Sequence, residues 1–359
     1  MGVDVRKFID VNITHSNQPS IVNARDTVVL ITSEGATDVK KLLTSKAEWD
    51  AYKDEEGNVF TNTDPYVQIF FANGGAKLLL VEAASTSVAA TLEDKYIVIA
   101  AVGLTLNDAK TLATTFDSSL EGTHRKILIA RATNDDLAIL PTLTSLQSLA
   151  VKYSETVGAE MAIAAYLSKI KIEGTNTVHD YSFTAETLEP DLAVPITDAL
   201  FDELSENNVN FNLNLAGSTR NIGGNMTSGY ALVNEYMLIV LHQTVTEQLL
   251  ALLVTKIKGN KALSSIRTVL SQELNTYVQN GYLATNKRWT YEDWIVTHNG
   301  VEFVIIEQHT PINLGYYIQV LPWSALTANE IAAHQAPPIY IVIADSYSVR
   351  KLALIGEVI

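Results

Sequence analysis

Seven histidines, forty carboxylates and no cysteine are the groups in this chain that could hold a metal or attack a substrate. His15, His124, His179, His242, His298, His309 and His334 are scattered, and none belongs to an H-E-x-x-H or similarly close metal pattern. His298, Glu302 and His309 come nearest to a cluster, but an Asn299-Gly300 turn beside His298 would point that side chain to solvent. Without cysteine there is no thiol nucleophile, no disulfide framework and no thiolate zinc site. Gly74-Gly75 and Gly223-Gly224 lack the lysine and hydroxyl of a P-loop and do not fit the G-x-G-x-x-G fingerprint, so both read as turns. There is no G-x-S-x-G nucleophile elbow. The carboxylate pairs Glu55-Glu56, Asp135-Asp136 and Asp202-Glu203 lie in polar stretches, and nothing selects one for acid–base work. No catalytic residue, cofactor or metal is singled out by these residues, which leave an enzyme open but unsupported.

The elements that would carry such groups are those of a large folded protein. At 359 residues, 47% hydrophobic and 18% charged, the chain can bury a core in two or three domains. Its net charge of −15 argues against a nucleic-acid or anionic-membrane binder. MGVDVRKFID has four charges and no apolar core, and Arg6 defeats the myristoylation pattern, so no targeting segment is expected. The longest apolar run, Ile97 to Leu104, is far below the roughly 18 residues of a membrane span, and a soluble protein is expected.

Val3, Val5, Ile9, Val11 and Ile13 share one parity, which is strand periodicity. Thr27–Thr32 and Lys77–Val81 read as buried strands, with helical spacing around Val39–Leu43. From 96 to about 167 the pattern alternates. Ile97–Val102 is a strand, and a helix runs to Leu120 with Asn107 as its N-cap. Lys126–Ala130 is a strand, Pro141–Tyr153 a helix and Met161–Leu167 a strand. Phe211, Leu213 and Leu215 form a strand before a glycine-rich turn region. Long helices are predicted over Tyr230–Lys258, with Ser228 as a possible N-cap and Gly259 as terminator, and over Ser265–Gln279. Trp294–Phe303 reads as a hairpin, Ile339–Ala344 as an apolar strand and Arg350–Ile359 as extended. The fold class is α/β with mixed α+β character.

Two features remain without chemistry. Residues 173–219 hold nine carboxylates and no lysine or arginine, whereas Gln248–Tyr291 holds six basic residues and one acid. The acidic stretch is either a solvated face and domain boundary or one half of a self-association contact. In the second case Glu186, Glu189 and Asp191 face Lys256, Lys258 and Lys261 of an adjacent subunit. Both chain ends, moreover, are apolar and strand-like where ends are usually polar. Unpaired strand backbone needs a partner, either within the subunit or in a neighbour.

VDVRKFIDVNITHSNQPSIVNARDTVVLITSEG resembles the opening strand and first core strand of contractile tail sheath proteins of bacteriophages, relatives of R-type tailocin and type VI sheaths. AGSTRNIGGNMTSGYALVNEYMLIVLHQTVTEQLLALLVTK and IRTVLSQELNTYVQNGYL resemble the helical region of that family, and PPIYIVIADSYSVRKLALIGEVI its closing strand and arm. The resemblance implies a multi-domain structural subunit, not an enzyme, with strand arms at 1–20 and 346–359. Between them it implies a first α/β part at 21–95, an outer middle domain at 96–200 and an inner domain at 201–345. It implies arms that add strands to neighbours through Val3, Val5, Ile9, Val11, Ile13, Leu352, Leu354, Ile355 and Val358. The partners implied are the chain itself in a homopolymer, a tail tube protein, and baseplate and tail terminator proteins, with no nucleic acid and no membrane insertion. The setting implied is a phage tail assembled in the host cytoplasm, where contraction drives the tube through an envelope. A tube or baseplate protein, or a small-molecule enzyme on the middle segment, are the alternative readings.

Overall fold

The computed structural model describes residues 8–12, 24–33, 39–53, 60, 62–83, 85–93, 95–118, 126–187, 196–215, 217–254, 260–332, 336–346 and 353–357. The N-terminal half contains β1 (Phe8–Asn12), β2 (Thr27–Thr32), β3 (Lys40–Leu43), α1 (Lys46–Tyr52), α2 (Asp64–Ala72), β4 (Lys77–Glu82), β5 (Val98–Ala101), α3 (Leu106–Ser118), β6 (Ile127–Ala132), β7 (Leu149–Tyr153) and α4 (Met161–Ser168). Then follow α5 (Asp198–Glu206), β8 (Asn210–Leu215), β9 (Ser218–Ile222), α6 (Leu232–Val254) and α7 (Asn260–Gln279). The C-terminal part is β-rich: β10 (Lys287–Arg288), β11 (Trp294–His298), β12 (Val301–Ile306), β13 (Pro311–Ile312), β14 (Tyr316–Val320), the short α8 (Ala328–Ala332), β15 (Ile339–Ile343) and β16 (Ala353–Glu357).

Strands β2, β4, β5, β6 and β7 are nearly continuous apolar runs, as expected where helices cover both faces of a parallel sheet. They form the centre of an eight-stranded sheet in the order β3-β4-β2-β5-β6-β7-β8-β9, with β3 and β9 antiparallel at the edges. Alternate residues point to opposite faces. Val28, Leu30, Leu78 and Leu80 pack with α2, α4, α6 and α7, whereas Val29, Ile31, Leu79 and Val81 pack with α3. The first of these cores continues without a break to Ile339, Ile341 and Ile343 of β15. The domain boundaries expected at 95/96 and 200/201 fall inside this sheet, because β5 pairs with β2 and the chain returns after the acidic stretch to pair β8 with β7.

Four local expectations change. Residues 149–153 are β7, a central strand, and only the preceding turn, Asn134–Leu143, is helical, of the 3₁₀ type. Met161–Ser168 is α4 and not a strand. Its residues are apolar all round, so periodicity carries no signal there, and its three alanines favour helix. Lys40–Leu43 is an edge strand whose lysines guard the open edge. Thr105, not Asn107, caps α3: its Oγ1 accepts from the Asp108 N–H at 3.2 Å. Helix α6 is apolar on nearly every side because it is buried between the large sheet and α7. The hairpin stands as predicted. Asn299 and Gly300 both have positive φ, 51° and 77°, as a type I′ turn requires.

Candidate functional site

β15 reads Ile-Tyr-Ile-Val-Ile and is buried along its whole length. Ile339, Ile341 and Ile343 face the helical core, and Tyr340 and Val342 face the layer built from Trp289, Trp294 and the β11–β12 hairpin. A strand buried on both faces must also satisfy its two backbone edges. β14 covers one edge, antiparallel, with Ile318 opposite Ile341. The other edge is covered by β16, with Ile341 opposite Leu354 and Tyr340 opposite Ile355. β1 then adds in parallel outside β16, pairing Ile9 with Leu354 and Val11 with Gly356. The two ends of the chain thus form the outer half of one four-stranded sheet, in the order β1-β16-β15-β14. Val3, Val5, Ile13, Leu352 and Val358, also expected in the arms, lie outside the described residues.

The root of each terminal segment is pinned to α6. At the N-terminal root, the Arg25 guanidinium donates to Thr244 Oγ1 at 2.5 Å and lies 3.6 Å from the Glu247 carboxylate. The Tyr236 hydroxyl donates to the Arg25 carbonyl at 3.0 Å. Burial pushes the carboxyls of Glu247 and Glu273 up, and the Arg25 charge holds both back. At the C-terminal root, Asn234 Nδ2 donates to Asp345 at 3.3 Å, and the Ser346 N–H donates to the Tyr282 carbonyl at 2.9 Å. One buried helix therefore fixes where both terminal strands leave the body.

A second polar construction holds part of the acidic stretch. Lys152, on β7, is fully buried, and its ammonium donates to Glu186 at 2.7 Å, Asn212 at 2.6 Å and Asn221 at 2.9 Å. Burial pulls the lysine pKa down, and the Glu186 charge pulls it back. Three acceptors for three N–H donors match the charged form. The Tyr181 hydroxyl donates to the other Glu186 oxygen. Glu186 is thus committed within its own chain with its side chain 2% exposed, and the expected contact of this residue with another subunit is corrected. Of the remaining charge-contact residues, Glu189, Asp191, Lys256 and Lys258 lie outside the described residues, and Lys261 is exposed at the start of α7. The Lys152 network has a faint sequence signal. One lysine interrupts the apolar β7, and β8 reads Asn-Phe-Asn-Leu-Asn-Leu, with amides on one parity.

Two of the features weighed for chemistry have partners within the fold. The N–H groups of Gly224 and Asn225 both donate to Asn210 Oδ1, at 2.7 and 3.1 Å, so this loop has its donors occupied by a side chain. His298 does not point to solvent. It is half-buried at the hairpin tip, with Nε2 3.8 Å from the Glu330 carboxylate. Among the described residues no three His, Asp or Glu could hold a metal, and no helix is long and apolar enough to cross a membrane.

No protein-family model matches the chain, and no curated protein matches it. Solved structures do. A chain of the PVC sheath complex of an extracellular contractile injection system, in its contracted state, superposes with a TM-score of 0.64 at 16% identity, covering 95% of this chain and 93% of that one. The contracted helical sheath of the anti-feeding prophage gives 0.60 at 14% identity over 95% of both chains. The sheath tail protein of Desulfitobacterium hafniense gives 0.57 at 7% identity over 97% and 99%. This is a contractile-sheath fold. The match covers nearly the whole length of each chain, so the sheath fold here includes the helical body and the β-rich C-terminal part together, as the expected likeness to sheath proteins requires.

Proposed function

We propose that this chain is the structural subunit of a contractile tail sheath, acting by polymerisation and not as an enzyme. The observation that carries the reading is the sheet β14-β15-β16-β1, in which both chain ends complete the edge of a strand anchored elsewhere. The hydrogen bonds from Ile339–Val342 to the β16 backbone are the same whichever copy supplies β16. Twelve residues, 13–24, separate β1 from its pinned root at Arg25, and six, 347–352, separate the other root from β16. At about 3.3–3.6 Å per residue of a fully extended chain, these lengths cap how far each strand can be passed to an adjoining copy at about 40 Å and 20 Å. In the polymer β16 and β1 come from neighbours, so each subunit is tied to others through main-chain bonds that persist while the bodies rearrange.

The polymer surrounds a tail tube, joins a baseplate and a terminator at its ends, and contracts to drive the tube through a host envelope. It forms in the host cytoplasm and ends in the phage tail or tail-like particle. Inner radius for 201–345 and outer radius for the middle segment, and a contact of Glu189 and Asp191 with Lys256, Lys258 and Lys261 of an adjacent copy, belong to the same reading. The test is negative-stain microscopy of the purified chain beside two truncations, one lacking Met1–Ile13 and one ending at Arg350. Striated tubes from the parent, and folded monomers from both truncations by circular dichroism, are expected. Discrete particles from the parent, or unfolding of either truncation, would sink the proposal.

A further inference from the structure

We infer that Phe183 and Arg220 of one copy dock on the outward face of the β11–β12 hairpin of another copy, formed by Ile295, Val304 and Glu302. Phe183 is 61% exposed and has a φ of +61°, a backbone conformation that bulky residues rarely adopt. It is nonetheless held firmly. Its N–H donates to the Asn221 carbonyl at 2.8 Å, its carbonyl accepts from Arg220 Nη1 at 2.8 Å, and the Asn221 N–H donates to Thr184 at 2.9 Å. Three residues on, Glu186 anchors the segment to buried Lys152. A strained, rigid turn that holds an aromatic ring out in water serves no purpose in the isolated subunit. A ring fixed before binding loses little freedom on binding, which is how aromatic anchors act at interfaces.

The hairpin supplies the complement. Ile295 and Val304 are cross-strand partners, 49% and 47% exposed, and Thr297 and Glu302 pair beside them on the same face. Its inner face, through Trp294, Val296 and Phe303, is already packed on the C-terminal layer, so the outer apolar pair is free. Among the described residues neither Arg220 nor Glu302 has an ion-pair partner. Asp180, three residues before Phe183, accepts from the Ser182 N–H and hydroxyl. An apolar knob beside a cation thus meets an apolar patch beside an anion. Because knob and patch are different surfaces of one chain, the contact is heterologous and propagates into a ring or helix. The inference deepens the sheath reading and rests on it for the biological setting.

Phe183→Gly removes the ring and relieves the φ, so the subunit should fold at least as well while the concentration needed for assembly rises about tenfold or more. Arg220→Glu should weaken assembly similarly, and adding Glu302→Arg in the same chain should restore it. The chain has no native cysteine, so an Ala185→Cys/Thr297→Cys variant, which leaves all five contact residues intact, can be treated with a short bis-maleimide. A ladder of cross-linked multimers, absent from either single variant, is expected. Tubes without a ladder overturn this contact and leave the sheath reading standing. A ladder without tubes keeps the contact and removes the sheath reading, and absence of both removes both.

Discussion

Replacing Glu186 by glutamine keeps the shape and an amide oxygen within reach of Lys152 but removes the counter-charge from an ammonium with no exposed surface. Breaking a buried pair in this way costs about 3–5 kcal/mol, because the remaining charge is desolvated without compensation. Two amide oxygens, from Asn212 and Asn221, still face the ammonium. The lower end of that range, about 3 kcal/mol, is therefore expected. Lys46 and Asp50 provide the contrast: their Nζ–O distance is also 2.7 Å, but the side chains are 48% and 40% exposed. Asp50→Asn should accordingly cost far less than Glu186→Gln, because solvent screens an exposed pair. The assay is urea unfolding by circular dichroism on the subunit truncated at both ends, so that polymerisation does not contribute. Lys152→Met with Glu186→Leu should lose less than Glu186→Gln alone, since no unpaired charge is left. A cost below about 1 kcal/mol for Glu186→Gln, or equal costs for the buried and surface variants, would refute the reasoning.

Three further outcomes follow from single side chains. Burial lifts the Glu160 carboxyl from 4.5 to about 7 against the pull of Arg131. The folded state therefore holds this proton more tightly than the unfolded chain, and stability should fall by up to about 3 kcal/mol as pH rises from 4.5 to 7, then level off. Glu160→Gln should abolish that part of the slope in pH-dependent thermal melts. Arg25→Ala should remove the charge that holds the Glu247 and Glu273 carboxyls back, costing about 1–3 kcal/mol at alkaline pH and less as pH falls and the carboxyls take up protons; a loss that does not change with pH would be contrary. Gly300→Ala places a Cβ at a φ of +77° in the hairpin turn and should cost about 1 kcal/mol, with Gly300→Asn recovering much of it.

Sequence pattern served well where one face of an element is wet. Helix α7, with Ile266, Leu270, Leu274 and Tyr277 buried and Lys261 and Arg267 exposed, reads directly from its spacing, and so does the Asn-Gly hairpin. It failed where burial is complete. In α4 and β7 both faces are apolar, so the period that separates helix from strand vanishes, and each was predicted as the other type. The acidic stretch looked like a boundary because charge was counted without partners. Glu186 lies 34 residues from the lysine that neutralises it, a pairing that only the closing of the sheet creates.

The absence of a catalytic or metal motif has a physical reason if the function is assembly by strand addition. Its working groups are backbone N–H and C=O, which every residue but proline carries, so no residue type marks them. What side chains can contribute is placement. They bury β15 on both faces so that its edge is held at a fixed height, and they pin Arg25 and Asp345 to one helix so that both strands depart from fixed points. Those contacts join residues 219 and 111 positions apart, Arg25 with Thr244 and Asn234 with Asp345, and neither leaves a local pattern. The legible trace is the terminal alternation itself, apolar where chain ends are ordinarily polar. Structure adds the reason it matters: β16 lies between β15 and β1, so losing the C-terminal strand strands the N-terminal one as well. In a polymer built this way, removing the C-terminal arm from every copy severs two pairings, whereas removing the N-terminal arm severs one.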